Sequence, residues 1–428
     1  AWRRAEDAAR TAVQVARQRH GPDGVSVDTV YALDTVERCL RRMGHLVAIL
    51  TAEQGPQADA ALRRLCLRVA VSVDRDRSLR RLARDNLRLL HQRIIQRAGE
   101  TGEHYVARNA ADYRLIWLQA AGGGLLTAVT AAFKVAVHQL AHAIHLAPAA
   151  AGFLAGLNYA VSFVALQHLH LILATKQPAM TAAALASTMQ GSNGDERHER
   201  MVDETARIAS SQLAAAAANV IVVAIAAAAF DAGWRALTGR HWMDAAEAAD
   251  LYLSLSPVDS LTAFYAALTG VILWLSSLFG GWFDNWVRLH RIPDGLEGRR
   301  AGWGAALRKH AAGWGTNISL GFMLGMTPAI GQFLGLPLDV RHVTLNTGIL
   351  SLALSGLGHN WFADGLFLRA LAGIAVMFVL NLGVSFALSF ATALRAYQHP
   401  RDEATSYLRC LLRRALRRPW QFILPTSR

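Results

Sequence analysis

From residue 113 onward, long apolar runs alternate with short polar connections. The runs are LIWLQAAGGGLLTAVTAAF (115–133), AAAGFLAGLNYAVSFVALQHLHLILA (149–174), LAAAAANVIVVAIAAAAF (213–230), LTAFYAALTGVILWLSSLFGGWF (261–283), ISLGFMLGMTPAIGQFLGLPL (318–338) and LFLRALAGIAVMFVLNLGVSFALSFATAL (366–394). Each approaches or exceeds the roughly 20 residues that cross a bilayer as a helix. Backbone inside hydrocarbon must satisfy its own hydrogen bonds, so helices are expected. A seventh stretch, VTLNTGILSLALSGL (343–357), is apolar but only 15 residues long. Before residue 113 the pattern changes: Val30, Leu33, Val36, Leu40, Met43 and Val47 recur every three or four positions, as do Leu79, Leu82, Leu87, Leu90 and Ile94. That period predicts amphipathic helices, with Gly55-Pro56 as a turn.

Charge decides how many runs cross. Lys and Arg number 18 in the connections and tail that would share a side with the N-terminal helices, and 4 in those on the other side. This alternation follows the positive-inside rule only with an even number of crossings. A full span at 343–357 would put the eight basic residues of the tail on the wrong side. The expected fold is therefore an all-α, polytopic integral membrane protein, with about six transmembrane helices plus one re-entrant segment. A basic helical cytoplasmic domain occupies 1–112, the transmembrane helices 113–394, and a basic amphipathic tail 395–428, with both termini cytoplasmic.

The remaining composition narrows the chemistry. The net charge is +13, carried by arginine; Lys134, Lys176 and Lys309 are the only lysines. Cys39, Cys66 and Cys410 lie far apart and give neither a disulfide framework nor zinc spacing. The chain opens on AWRRAEDAAR, which lacks Met and an apolar signal core, and an additional N-terminal part is expected. YLRCLLRRALRRPWQFILPTSR mixes Arg with Leu and aromatics, a pattern suited to anionic lipids at the inner leaflet. The same arginines could contact nucleic acid, although residues 1–112 lack interleaved aromatics.

Candidate sites cluster where the apolar runs are interrupted. GFMLG (321–325) and GQFLG (331–335) are helix-packing motifs, and Pro328 between them is expected to kink or break its helix. The LDVRH bend brings Asp339, Arg341 and His342 together, with Asn346, His359, Asn360 and Asp364 on the same side. Asp339 and Arg341 either pair as a solvated cap or, with these neighbours, hold a ligand at a helix break. Lys176 and Gln177 are either a helix boundary with an interfacial lysine or a polar pair at a pore or headgroup. His138, His142 and His145 share a helical face, with His168 and His170 further on; they are interfacial residues or, alternatively, ligands for a transition metal. No other cofactor is expected.

ATKQPAMTAAALA, LGFMLGMTPAIGQFLGLPLDVRHVTLNTG and VLNLGVSFALSFATALRA resemble the bacterial, gonococcal-type family of membrane-associated proteins called site-specific recombinases. The resemblance covers about 113–395 and plausibly the N-terminal helices. It implies a bacterial inner-membrane location and, by the family's name, DNA recombination. It places no catalytic residue on this chain. None of the 16 histidines has Arg three positions on, and G-x-x-x-x-G-K-[ST] and G-x-S-x-G are absent. An enzyme is therefore not the first expectation. Binding or movement of a small ligand, ion or lipid at the broken region is the leading one. DNA-associated function and a structural role in an envelope assembly are the alternatives, and a homo-oligomer is compatible with each.

Overall fold

The computed structural model describes residues 2–19, 27–51, 59–60, 62–63, 65–67, 94–95, 105–187, 195–296, 300–357, 365–396 and 401–424. The chain divides into two compact units. One contains Ala1–Ile94 and Trp282–Ala311; the other contains Ile95–Gly281 and Ala312–Arg428.

In the first unit, α1 (Trp2–Arg19) precedes α2 (Val27–Thr51), which carries the period expected of Val30 to Val47. The expected turn at Gly55-Pro56 and the period from Leu79 to Leu90 lie outside the described residues. Glu6 pairs with Arg10 one turn on and lies against Gly44 of α2. Asp284–Arg288 (2.9 Å) and Arg308–Asp294 (2.7 Å) are further ion pairs in this unit.

The second unit holds the apolar runs. Helix α3 (Ala110–Ala143) starts at Asn109, whose side chain accepts the Asp112 N–H. Helix α4 (Pro148–His168) begins with the proline at its first position, where no N–H is needed. A 3₁₀ turn (Ala174–Lys176) leads into the short α5 (Gln177–Ser187). Helix α6 (Asp195–Thr238) follows, then α7 (Ala245–Leu255), capped by Asp244 accepting from Glu247 N–H. Helices α8 (Thr262–Leu289) and α9 (Ala301–Leu334) extend across the division between units. The last three are α10 (Val343–Leu357), α11 (Leu366–Ala396) and α12 (Arg401–Arg417).

The fold is all-α and polytopic, with no strand among the described residues. Among the described residues, five helices are long and apolar enough to cross a membrane: α3, α4, α6 from Glu199, α8 and α11. Helix α9 has the length, but Arg308, Lys309, Asn317 and Gln332 dilute its apolar character.

Three local expectations change. The run 149–174 does not continue as one helix: α4 stops at His168, and five residues precede the 3₁₀ turn. Pro328 does not break α9, which continues to Leu334. Proline removes the one N–H that would bond the Leu324 carbonyl, and the packed neighbours hold the remaining turns. The helix instead ends beside Gly335, at φ +65°, a conformation that favours glycine. Finally, 343–357 is not the only short segment, because α5 is a second one.

Small residues permit close approach. Gly152, Gly156 and Ala160 of α4 meet Ala329, Gly325 and Gly321 of α9 in reversed order, so the two helices cross antiparallel. A Cβ on Gly321 would fall on the Ala160 backbone. The two glycine motifs therefore differ: 321–325 packs helix on helix, whereas Gly331 receives the chain turning back at Leu336 and Leu338. Helix α10 is buried from Val343 to Ala353, against α3, α6 and α7. At the C-terminus, Tyr407 of α12 is buried beside Phe390 and hydrogen-bonds Thr205 of α6 at 2.6 Å.

Candidate functional site

Two helices in this unit are interrupted in the same way. In each case a non-helical strand of backbone enters the core, and a lone asparagine from a long apolar helix satisfies it. Asn219 of α6 accepts the Ala174 N–H (2.8 Å) and donates to the carbonyls of Ile172 and Ala120. Asn381 of α11 accepts the Val343 N–H (2.9 Å) and donates to the carbonyls of Arg341 and Ala266. Without these side chains, the Ile172 carbonyl and Ala174 N–H at the first break, and the Arg341 carbonyl and Val343 N–H at the second, would be unpaired away from water. The Ala120 and Ala266 carbonyls also accept within their own helices. The two breaks meet at Thr175 and His342, whose Oγ1 and Nε2 are hydrogen-bonded at 2.8 Å.

A cavity of about 1000 Å³ opens beside the second break. Its mouth carries the exposed His142 and His145, and its depth reaches the buried Tyr159, Leu324 and Asn346. Its lining belongs to the ends of helices joined by 144–147, 239–244 and 335–342, the arginine-poor end of the bundle. Arg341 pairs with Asp339 at 2.6 Å and lies 5.7 Å from the Tyr265 ring. Its side chain is 11% exposed, and its Nε has no hydrogen-bond partner. Lys134 also lines the cavity and feels the charges of Asp339 and Arg341. Among the described residues its Nζ has no hydrogen bond or ion pair. Glu247 and Asp250 add acidic groups toward the mouth, with Glu247 held by Gln139 at 3.0 Å.

The expected site residues thus separate into two groups. Asp339, Arg341 and Asn346 line the cavity. His342, next in sequence to Arg341, turns into the core and is 1% exposed. Lys176 does not reach for a headgroup: its Nζ donates to Asn317 and lies 4.0 Å from the Phe163 ring. Gln177 is 2% exposed, and both polar atoms of its amide lack a partner. His359, Asn360 and Asp364 lie outside the described residues. His138 and His142 stack edge to face with ring centres 4.5 Å apart, while His145 sits beyond the helix end at φ +49°. Among the described residues no three His, Cys, Asp or Glu side chains converge as metal ligands.

Several residues that matter here were not expected from the sequence: Asn219, Asn381, Thr175, Lys134, Gln167 and Asn317. A lone asparagine inside an 18-residue apolar run was the legible signal for Asn219. A buried amide in such a run must answer backbone groups somewhere in the fold.

The fold and site define an all-α polytopic membrane protein with two broken helices and, at one of them, a largely apolar cavity carrying a few charged side chains. The chain belongs to the family described as Site-specific recombinase, which it matches over residues 1–425. Neither a curated protein nor a solved structure matches it.

Proposed function

We propose that this protein binds a small solute carrying an anionic group in the cavity beside the second broken helix. One observation carries the reading: Lys134 faces a largely apolar cavity with no ion-pair partner, next to an Arg341 that is only partly satisfied. A cation in such surroundings is costly without a counter-charge, and a bound carboxylate or phosphate supplies one. Asp339 and the Ser254 carbonyl already occupy the Arg341 guanidinium, leaving Lys134 for the solute. The family's name refers to DNA recombination, but H-x-x-R, the element of tyrosine recombinases, is absent from the sequence.

In this reading six helices cross a bacterial inner membrane, with α9 as the sixth, and α10 is re-entrant. The arginine-poor end faces outward and both termini are cytoplasmic, supported by the 18-to-4 division of basic residues. Helix α12 rests on the inner leaflet. Leu408, Leu412 and Leu416 form an exposed apolar ridge, with Arg409, Arg413 and Arg417 beside it to meet anionic lipids.

Thermal unfolding of the purified full chain in lipid nanodiscs tests the ligand. The probes are small carboxylates, inorganic and organic phosphates, and amino acids. At least one is expected to raise Tm, with about tenfold weaker affinity in Lys134→Gln, equivalent to ~1.4 kcal/mol. The proposal fails if every probe shifts wild type and Lys134→Gln equally, including not at all.

A further inference from the structure

The two breaks belong to two copies of one structural pattern. ATKQPAMTAAALAS (174–187) and VTLNTGILSLALSG (343–356) align without a gap, matching Thr175 with Thr344, Gln177 with Asn346, Ala184 with Ala353 and Leu185 with Leu354. The contacts agree with this alignment. Ala120, Ile172, Ala174 and Asn219 are joined as Ala266, Arg341, Val343 and Asn381 are. Gly124 packs on Val222 as Gly270 packs on Val384. One copy comprises α3, α4, α5 and α6; the other comprises α8, α9, α10 and α11. Each holds three long helices and one short one, and the equivalent helices α4 and α9 cross antiparallel at Gly156 and Gly325. An odd number of crossings per copy reverses the second copy, so the two are inverted about an axis in the membrane plane.

The copies do not have the same conformation. The same gapless alignment extends back to GFLAG (152–156) on GFMLG (321–325), and it pairs Gln167 with Leu336 and Asn317 with Pro148. At one end of the bundle, Gln167 lies against Gly313 and accepts from Asn317 Nδ2 at 2.6 Å. Lys176 closes onto the same Asn317, and Thr316 lies against Gly280. At the other end, the equivalent Leu336 and Pro148 both line the open cavity. The same contact is made in one copy and opened in the other.

We infer that the protein is a carrier working by alternating access, with the structure showing one end open and the other closed. This rests on the proposed cavity as the solute site. Exchange of the two copies' conformations closes Leu336 onto Pro148 and separates Gln167 from Asn317. Gln177, equivalent to the cavity-lining Asn346, then faces the newly opened side, which supplies polar surroundings for an amide unpartnered in this state. The solute is the same small anionic species, passed between the two ends.

Disulfide trapping in membranes tests the exchange. The background replaces Cys39, Cys66 and Cys410 by Ser in the full chain. Gln167→Cys with Asn317→Cys is the pair that meets in the present state; Pro148→Cys with Leu336→Cys is the pair that meets only in the other. Oxidation is read as loss of labelling by a polyethylene glycol maleimide. The second pair is expected to oxidise at about a tenth to a thousandth of the first pair's rate, as for a minor conformer. Once it is joined, Thr316→Cys in the same chain becomes reactive toward a small maleimide. The inference is overturned if the first pair oxidises, the second never does and Thr316→Cys stays unreactive. It is also overturned if neither pair oxidises. Solute binding by thermal shift with no trapping leaves a binding protein and removes the carrier; trapping with no thermal shift removes the solute assignment and leaves the exchange.

Discussion

The segment 169–187 and the segment 335–357 solve one problem with different outcomes. Both bring backbone into a buried region, both receive an asparagine from a neighbouring long helix, and both start a short helix there. At the first, Lys176, Asn317 and Gln167 form a contiguous polar seal. At the second, Arg341 pairs with Asp339 on a cavity wall, and Lys134 has no such contact. The difference shows which groups are scaffold and which are available. The asparagine braces are common to both and hold the breaks in place. The charged and amide side chains differ between them.

Removing the braces tests the comparison most severely. Asn219→Leu and Asn381→Leu each strand two buried backbone groups, and each is expected to cost on the order of 2 kcal/mol or more. Loss of a monodisperse peak and a large drop in Tm would be seen for both; a large loss for only one would break the equivalence of the repeats. The helix crossing comes next. Gly321→Ala places a methyl on the Ala160 backbone and is expected to destabilise by about 1–3 kcal/mol. Gly383→Ala, which meets nothing within 4 Å, is the control and should be neutral or slightly stabilising. An equal Tm loss in the two would remove the close crossing as an explanation.

Thr175→Val probes the point where the breaks meet. It takes the hydroxyl from His342, leaving both ring nitrogens without a partner, at a cost of about 1–2 kcal/mol in unfolding measurements. The smallest effect belongs to Asp259, before α8. The Ser256 hydroxyl and then the Arg369 guanidinium hold its carboxyl below the usual carboxylate range. Its contribution is therefore present above its unfolded pKa, about 3.9, and lost as pH falls through the lower folded value. Asp259→Asn should lower Tm slightly at neutral pH and not at all at the acid end of the titration; a uniform shift across pH would remove the ionic explanation.

Much of the fold was legible in the hydrophobic pattern. The runs at 115–133, 213–230, 261–283 and 366–394 fall within α3, α6, α8 and α11 with their neighbouring turns. The resemblance in 174–186, 320–348 and 379–396 led to the family that covers the chain. The site was legible in part. Asp339 and Arg341 announced a polar bend, and both lie at the cavity. Lys176 and His342 looked like members of polar surfaces because they sit beside apolar runs; their partners Asn317 and Thr175 are 141 and 167 residues away. Proximity in sequence carried no information about those pairings.

The sequence alone determined that the chain has long apolar helices, that one stretch is too short to cross, and that basic residues gather on alternate connections. These follow from side-chain transfer to a bilayer and from the length of a helix turn, both local properties. Only the tertiary structure decided that there are two breaks, that Asn219 and Asn381 brace them alike, and that one end is closed while the other holds a cavity. Each of those depends on which distant backbone group finds which side chain. Where water is excluded, an unpaired group is too costly to remain, so packing selects partners that no local pattern specifies.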